Sequence, residues 1–429
     1  MTTEKIDTLV VGAGQAGVAM SEHLSLHGVP HLVLERSRIA ERWRSERWDS
    51  LVANGPAWHD RFPGMEFAGT GPDGFPTKEE VADYFVAYAG MINAPIRCGV
   101  EVRSVRRING ARGFRVETSQ GVIEALSVVA ATGPFQRPVM PALVPEGAGV
   151  LQMHSTAYRN PDQLPQGAVL VVGAGSSGVQ IADELSRAGR KVYLSVGPHD
   201  RPPRSYRGRD FVWWLGVLGK WDAAALAPGT EHVTIAVSGA YGGKTIDFRR
   251  LAAQGMTLVG RTEGYAGGTL RFAPDLAHNL ARGDANLMSL LDEADAYVAR
   301  NGLALPEEPQ ARRKEPDPEC VTNPIRSLEL AAVGTIIWAT GFTQDYGWLQ
   351  VEAFDAAGKP RHQRGVSVEP GLYFLGLPWQ TRRGSSFIWG VWHDAAHVAE
   401  HIAIQRKYLD YHRGASSSVR AQEPGAAIA

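Results

Sequence analysis

Short apolar runs alternate with amphipathic stretches from the start of the chain. Thr8-Leu9-Val10-Val11 is a continuous apolar run of strand length, and Val18 to His27 follows at helical spacing before Gly28. A second run, His31-Leu32-Val33-Leu34, comes next. Strand, helix and strand in this order predict a parallel βαβ unit over residues 6–36. The pattern returns with Val169-Leu170-Val171-Val172, a helix from Val179 to Ala188 closed by Gly189, and the run Val192-Tyr193-Leu194. Between the two units, a helix is expected from Lys78 to Ala89, with Val81, Tyr84, Phe85 and Tyr88 on one face. Strands are expected at 100–105, 114–118 and 122–125, then a buried strand Val128-Val129-Ala130-Ala131 entering the turn Thr132-Gly133-Pro134. Later come a helix from Ala285 to Asn301, a Pro-rich charged loop at 306–318, apolar strands at 335–342 and 371–376, and a helix from Asp394 to His412. From Gly414 the residues are small and polar, the composition of a disordered tail. The fold class is α/β with two Rossmann-like units.

Each unit carries a glycine fingerprint between strand and helix. The first is Gly12-Ala13-Gly14-Gln15-Ala16-Gly17 and the second Gly173-Ala174-Gly175-Ser176-Ser177-Gly178. The first glycine of each makes a tight turn, the second lets backbone approach a pyrophosphate, and the third lets helix and strand pack closely. One such motif is weak evidence, but two copies in matching context predict two dinucleotides. The residues beyond each copy separate the ligands. The first unit ends its second strand in Glu35, with Arg36 beside it, where a carboxylate grips ribose hydroxyls. The second ends in Ser195, and Arg201, Arg204, Arg207 and Arg209 come after it. A carboxylate would repel a 2′-phosphate, whereas guanidinium groups bind one. The first site therefore reads as FAD and the second as NADPH, with Arg201 and Arg204 as the expected phosphate pair. A solvated loop is the alternative for these arginines.

Repeated strand-to-turn elements, Ala131-Thr132-Gly133 and Ala339-Thr340-Gly341, mark two crossings between the units. They predict a discontinuous FAD domain over 1–160 and 325–413 with an NADPH domain, 161–324, inserted in it, and a tail over 414–429.

Composition narrows the classes. The 44 basic and 45 acidic residues give no global attraction to nucleic acid or to an anionic membrane. No signal-peptide core opens the chain, and the apolar stretch Phe211 to Leu215 is far too short to span a membrane. A cytoplasmic protein is expected. Cys98 and Cys320 form no C-x-x-C pair, which argues against a disulfide reductase, and no metal-ligand spacing is present.

The chain resembles the class B flavin-dependent monooxygenases, the flavin-containing monooxygenase group and its bacterial branch. The resemblance rests on both fingerprints, Trp48-Asp49-Ser50-Leu51-Val52-Ala53-Asn54, His154-Ser155-Thr156-Ala157-Tyr158 and Ala339-Thr340-Gly341-Phe342. The histidine element is similar to the second half of the family signature F-x-G-x-x-x-H-x-x-x-W/Y. Ala148 and Val150 replace the Phe and Gly of its first half, so the type of oxygenation stays open.

The resemblance implies that NADPH reduces FAD, that reduced flavin captures O2 as a C4a-(hydro)peroxide, and that one oxygen atom passes to a small molecule. It implies catalytic roles for Asn54, near the flavin edge, and His154, in an orienting role. Asn54-Gly55-Pro56 is equally a turn sequence, and a lone histidine is often structural. Gln15, Ala16, Arg44, Trp48, Thr132, Gly133, Ser176, Ser177, Thr340, Gly341, Ser385 and Ser386 are expected around the cofactors. Trp389, Trp392 and His393 open the last helix, whose N-terminus points at the flavin in such enzymes. They suggest an aromatic or nitrogen-containing substrate, with core packing as the alternative. A homodimer accords with related enzymes, although no residue marks an interface. An NADPH oxidase or reductase without oxygen insertion, and a redox sensor regulating a partner, remain alternatives.

Overall fold

A computed structural model describes residues 3–224 and 234–418. It resolves into two compact units. The first comprises 1–39, 85–133 and 346–429, and the second 40–84 and 134–345.

The first unit is built on a parallel sheet. Strand β1 (Glu4–Val11) lies between β2 (His31–Glu35) and the long strand that ends in Ala130, with helix α1 (Gln15–Leu26) crossing from β1 to β2. Val10 pairs with Val33 on one side and Val129 on the other. The last four residues of β1 are all buried, which explains why the run does not alternate: a central parallel strand is covered on both faces. The expected strands at 122–125 and 128–131 are one element, Gly121–Ala130. Its far edge pairs with Leu372–Phe374. Gly28 stands past the end of α1 at φ +64°, the left-handed position expected of it.

The second unit repeats the plan with five parallel strands. Strand Ala168–Val172 is central and wholly buried, flanked by Val192–Ser195 and Val333–Trp338. Thr257–Val259 and Leu151–His154 form the two edges. The helix Ser176–Arg187 leaves the central strand through the second glycine turn. The helix expected from Ala285 starts a full two turns earlier, at Leu276, because Leu276, Leu280 and Gly283 extend the buried stripe of Leu287 and Leu291 toward the N-terminus. The C-terminal helix runs Ile388–Ser418, through Gly414 where a tail was expected; 419–429 lie outside the described residues.

Buried neutral histidines give the fold an acid limit. Burial pulls His23 and His199 down to about 4, opposed in each case by a hydrogen bond with backbone. Unfolding releases them to an ordinary value near 6.5, so the unfolded chain binds more protons below that pH. Their contribution is complete above pH 6.5 and is lost as pH falls toward 4, by up to about 3 kcal/mol each. The melting temperature is therefore expected to drop across this window, and less so in a His23→Gln variant.

Candidate functional site

The first glycine turn is built for close approach. Gly12 sits at φ +104°, and a Cβ there would lie 2.8 Å from the Ala131 carbonyl oxygen. A Cβ on Gly17 would lie 1.8 Å from the Gly12 carbonyl. Gly14 differs, since nothing stands within 4 Å of its open face. Helix α1 has no side-chain cap and no acid in its first turn. Its free N–H groups and positive dipole end therefore face an approaching anion. The Glu35 carboxylate accepts from Ala13 N–H and from Ser37 N–H, both at 2.9 Å. It thus braces the turn at the edge where a ribose would lie, beside exposed Arg36. Thr132 and Gly133 come directly after Ala131, whose carbonyl faces Gly12.

The same unit places the other expected flavin residues. Gln15 Nε2 donates to the Ser386 carbonyl at 2.8 Å, which ties the first turn of α1 to the turn before the C-terminal helix. Ala16 is buried there against Gly376. The Ser385 hydroxyl is fully buried and accepts from Thr381 N–H at 3.0 Å and Arg382 N–H at 3.1 Å, so it shapes this turn from inside. Trp392 does not open toward a ligand. Its indole N–H donates to Glu22 of α1 at 2.7 Å, and its ring meets His23 at 4.4 Å. The reading of Trp392 as a substrate wall gives way to helix-on-helix packing. Trp389 and His393 stack edge to face at 4.9 Å, and a Cβ on Gly384 would come within 3.1 Å of the Trp389 ring.

The second glycine turn has the same backbone logic. Gly173 is at φ +115° with a would-be Cβ 2.5 Å from the Ala339 carbonyl, and Gly178 closes on the Gly173 carbonyl at 1.9 Å. The helix behind it again has neither side-chain cap nor first-turn acid. Here, however, the open face of Gly175 meets Thr234, 3.2 Å away, and Ser176 Oγ donates to the Ile235 carbonyl at 2.8 Å. Ser177 lies half-buried in the same first turn. Ser195 is buried, donates to the Gly260 carbonyl at 3.0 Å and accepts from Thr262 N–H at 3.0 Å.

The expected phosphate arginines have another task. Arg204 is 4 % exposed and donates through two nitrogens to the Asp210 carboxylate at 2.6 and 3.1 Å. Its guanidinium carbon lies over the Phe75 and Phe211 rings, 4.8 and 4.5 Å from their centroids. Arg201, 6 % exposed, pairs with Asp284 at 2.9 Å and Asp247 at 3.5 Å. Both guanidinium groups are thus buried and already matched by carboxylates. The arginine beside the end of strand Val192–Ser195 is Arg261: its side-chain carbons lie 3.4 Å from the open face of Gly197, its Nε donates to Asp275 at 2.7 Å, and its side chain, unlike those of Arg201 and Arg204, is exposed. It comes just after the neighbouring strand Thr257–Val259, so strand adjacency rather than sequence distance brings it there.

Arg204 and Gln180 converge on Asn54. Arg204 Nη1 donates to the Asn54 carbonyl at 2.6 Å, and Gln180 Nε2 donates to Asn54 Oδ1 at 2.7 Å and to the Val237 carbonyl at 3.0 Å. Oδ1 thus accepts from Gln180, and the N–H2 of the exposed Asn54 amide keeps its donors. His154 is tied at both nitrogens. Nε2–H donates to the Gly341 carbonyl at 3.0 Å, and Nδ1 accepts from Thr156 N–H at 3.2 Å. Burial first, and then the Arg47 cation, hold it below its ordinary value against that Gly341 bond, so it stays neutral. It fastens the edge strand to the turn after Trp338 and has no nitrogen left for proton transfer. Thr340 Oγ1 donates to the Val139 carbonyl at 2.5 Å in the same turn. Trp48 is buried in the second unit's core, and Arg44 pairs with Asp83 at 2.8 Å. Both are expected along a cofactor; in the structure Trp48 is engaged in packing and Arg44 in ion pairing. Among the described residues, no helix is long and apolar enough to cross a membrane.

Comparison with known proteins agrees with this geometry. A family model described as pyridine nucleotide-disulphide oxidoreductase matches residues 9–207. An oxidoreductase of Geobacillus kaustophilus described as CzcO-like is 36 % identical over 402 residues, covering 92 % of this chain and 98 % of the relative. An indole-3-pyruvate monooxygenase of rice, YUCCA1, is 33 % identical over 192 residues, covering 44 % of this chain and 47 % of the relative. The structure of a flavin-containing monooxygenase from Stenotrophomonas maltophilia superposes with a TM-score of 0.65 at 18 % identity, over 94 % of this chain and 99 % of that one. The chain therefore belongs to the CzcO-like oxidoreductases and has the α/β, two-nucleotide fold of the flavin-containing monooxygenases.

Proposed function

We propose that the first unit binds FAD, the second binds NADPH, and the protein is a monooxygenase that inserts one atom of O2 into a small organic molecule. The observation that carries this reading is the pair of glycine cradles at uncapped helix ends, one bordered by Glu35 and the other by uncharged Ser195. Flavin-monooxygenase relatives and neighbours support it. The balance is simple: NADPH gives two electrons, one oxygen atom joins the substrate, and the other leaves as water. FAD supplies the O2 activation when bound.

The chain's own residues bind, orient and screen. The α1 N-terminus and Gly14 receive the FAD pyrophosphate, while Glu35 holds the ribose hydroxyls. The pyrophosphate path over Gly175 runs beside Thr234, whose Cβ lies 3.2 Å from the open face of that glycine. Arg261 takes the 2′-phosphate role that the sequence suggested for Arg201 and Arg204. Gln180 and Arg204 present Asn54 as a fixed donor, and neutral His154 keeps the turn at Gly341 in place without moving a proton.

Anaerobic mixing of the FAD-loaded protein with nicotinamide cofactors tests the cofactor assignment. Rapid bleaching of the flavin by NADPH, and much slower bleaching by NADH, is the expected outcome. Arg261→Ala should weaken NADPH by on the order of tenfold and leave NADH nearly unchanged. Equal loss for both cofactors would remove Arg261 from the phosphate site.

A further inference from the structure

The helix Glu41–Ser45 and the residues after it carry three arginines with different fates. Arg42 pairs with Glu46 at 3.5 Å and donates to the Gln136 carbonyl at 3.1 Å. Arg44 pairs with Asp83. Among the described residues, no carboxylate lies within 4.0 Å of Arg47, and its hydrogen bond goes to the Glu46 carbonyl at 2.9 Å. A guanidinium has five N–H donors in a planar fork, so most of this one's capacity is unused.

Its surroundings are rings. Arg47 Cζ lies 5.6 Å from the Phe135 centroid and 6.0 Å from that of Trp43. Phe342 meets Phe135 at 5.1 Å and His154 at 5.0 Å, both edge to face. His154 is neutral, and the Gly341 carbonyl already accepts from His154 and from Val139 N–H. Neither neutralises the cation. Burial, aided by the Arg42 cation and opposed by Glu46, lowers Arg47 to about 10, which leaves it charged at neutral pH. Phe135 is 47 % exposed, so an apolar face stands open beside this charge.

We propose that Arg47, with Trp43, Phe135 and Phe342, binds the carboxylate of a flat, apolar small acid, and that such acids are the substrate class of the oxygenation proposed above. The fork accepts a carboxylate bidentately, and the rings cover the flat body behind it. A half-buried cation bordered by rings and without a carboxylate partner favours a monoanion that brings its own apolar surface. Dinucleotide phosphates carry more charge, and the glycine turns already offer backbone N–H groups for them.

The inference rests on the monooxygenase reading for its meaning, but its test is equilibrium binding and needs no turnover. The FAD-loaded protein is titrated with phenylacetate and indole-3-acetate, and with the neutral isosteres phenylacetamide and indole-3-acetamide, following tryptophan fluorescence. Each acid is expected to bind on the order of tenfold tighter than its amide. Arg47→Met should erase that preference and Arg47→Lys restore part of it, with FAD content, NADP+ affinity and melting temperature close to wild type. The lysine variant separates charge from folding. Absence of binding, or equal binding of acid and amide, would overturn the proposal. So would loss of FAD or NADP+ in Arg47→Met, which would assign the cation to a nucleotide phosphate. Acid binding through Arg47 without any oxygenation would leave this site standing and remove the monooxygenase reading.

Discussion

Gly173→Ala is expected to abolish NADPH binding, a loss of 100-fold or more on an order-of-magnitude estimate, while the protein keeps its FAD. Two independent obstacles act on the added methyl. The backbone is at φ +115°, a conformation that side chains other than glycine rarely adopt, and the Cβ would stand 2.5 Å from the Ala339 carbonyl oxygen. Nothing flexible can yield there, because the clash is with backbone at the end of a buried strand. Opening the turn would move the first N–H groups of the helix Ser176–Arg187 away from the phosphate path. Calorimetric titration with NADP+ measures the loss, and the flavin absorbance of the purified variant reports the FAD. Binding within a few-fold of wild type would show that the nucleotide does not use this turn.

Arg204→Met is expected to destabilise the protein by about 3–5 kcal/mol and to leave the choice between NADPH and NADH unchanged. Removing the guanidinium strands the Asp210 carboxylate, which keeps only its cap to Val212 N–H at 2.9 Å. It also removes the cation from the Phe75 and Phe211 rings and releases the Asn54 carbonyl. Turnover should therefore fall along with stability. Thermal melting and the ratio of kcat/KM for the two cofactors check this directly. A selective loss of NADPH at unchanged melting temperature would return Arg204 to the phosphate site.

Much of the fold was legible because the signals were local. The runs Thr8–Val11 and Val169–Val172, each leading into a glycine turn, contain the strand, the turn and the helix start within a few residues. The position of Glu35 at the end of the second strand was legible for the same reason, since it is set by one strand length after α1. The expectation for the arginines rested on sequence proximity alone. Arg201 and Arg204 come soon after Ser195, but Asp210, Asp247 and Asp284 claim their charge from other elements. Arg261 is remote in sequence and adjacent in space through the pairing of Ser195 with Val259. Trp392 shows the same limit. Its neighbours Glu22 and His23 lie on α1, and only the packing of two helices reveals them. Gln180 carried no signal beyond helical spacing, yet it decides which way the Asn54 amide points.

Oxygen insertion is tested most directly by isotope. The FAD-loaded protein is supplied with NADPH and 18O2 across thioethers, amines, ketones and flat aromatic acids, with product mass and H2O2 measured together. A product carrying one 18O atom, formed with less H2O2 than NADPH consumed, is the predicted result. Return of all the consumed NADPH as H2O2 with every compound would contradict the account and leave an NADPH oxidase.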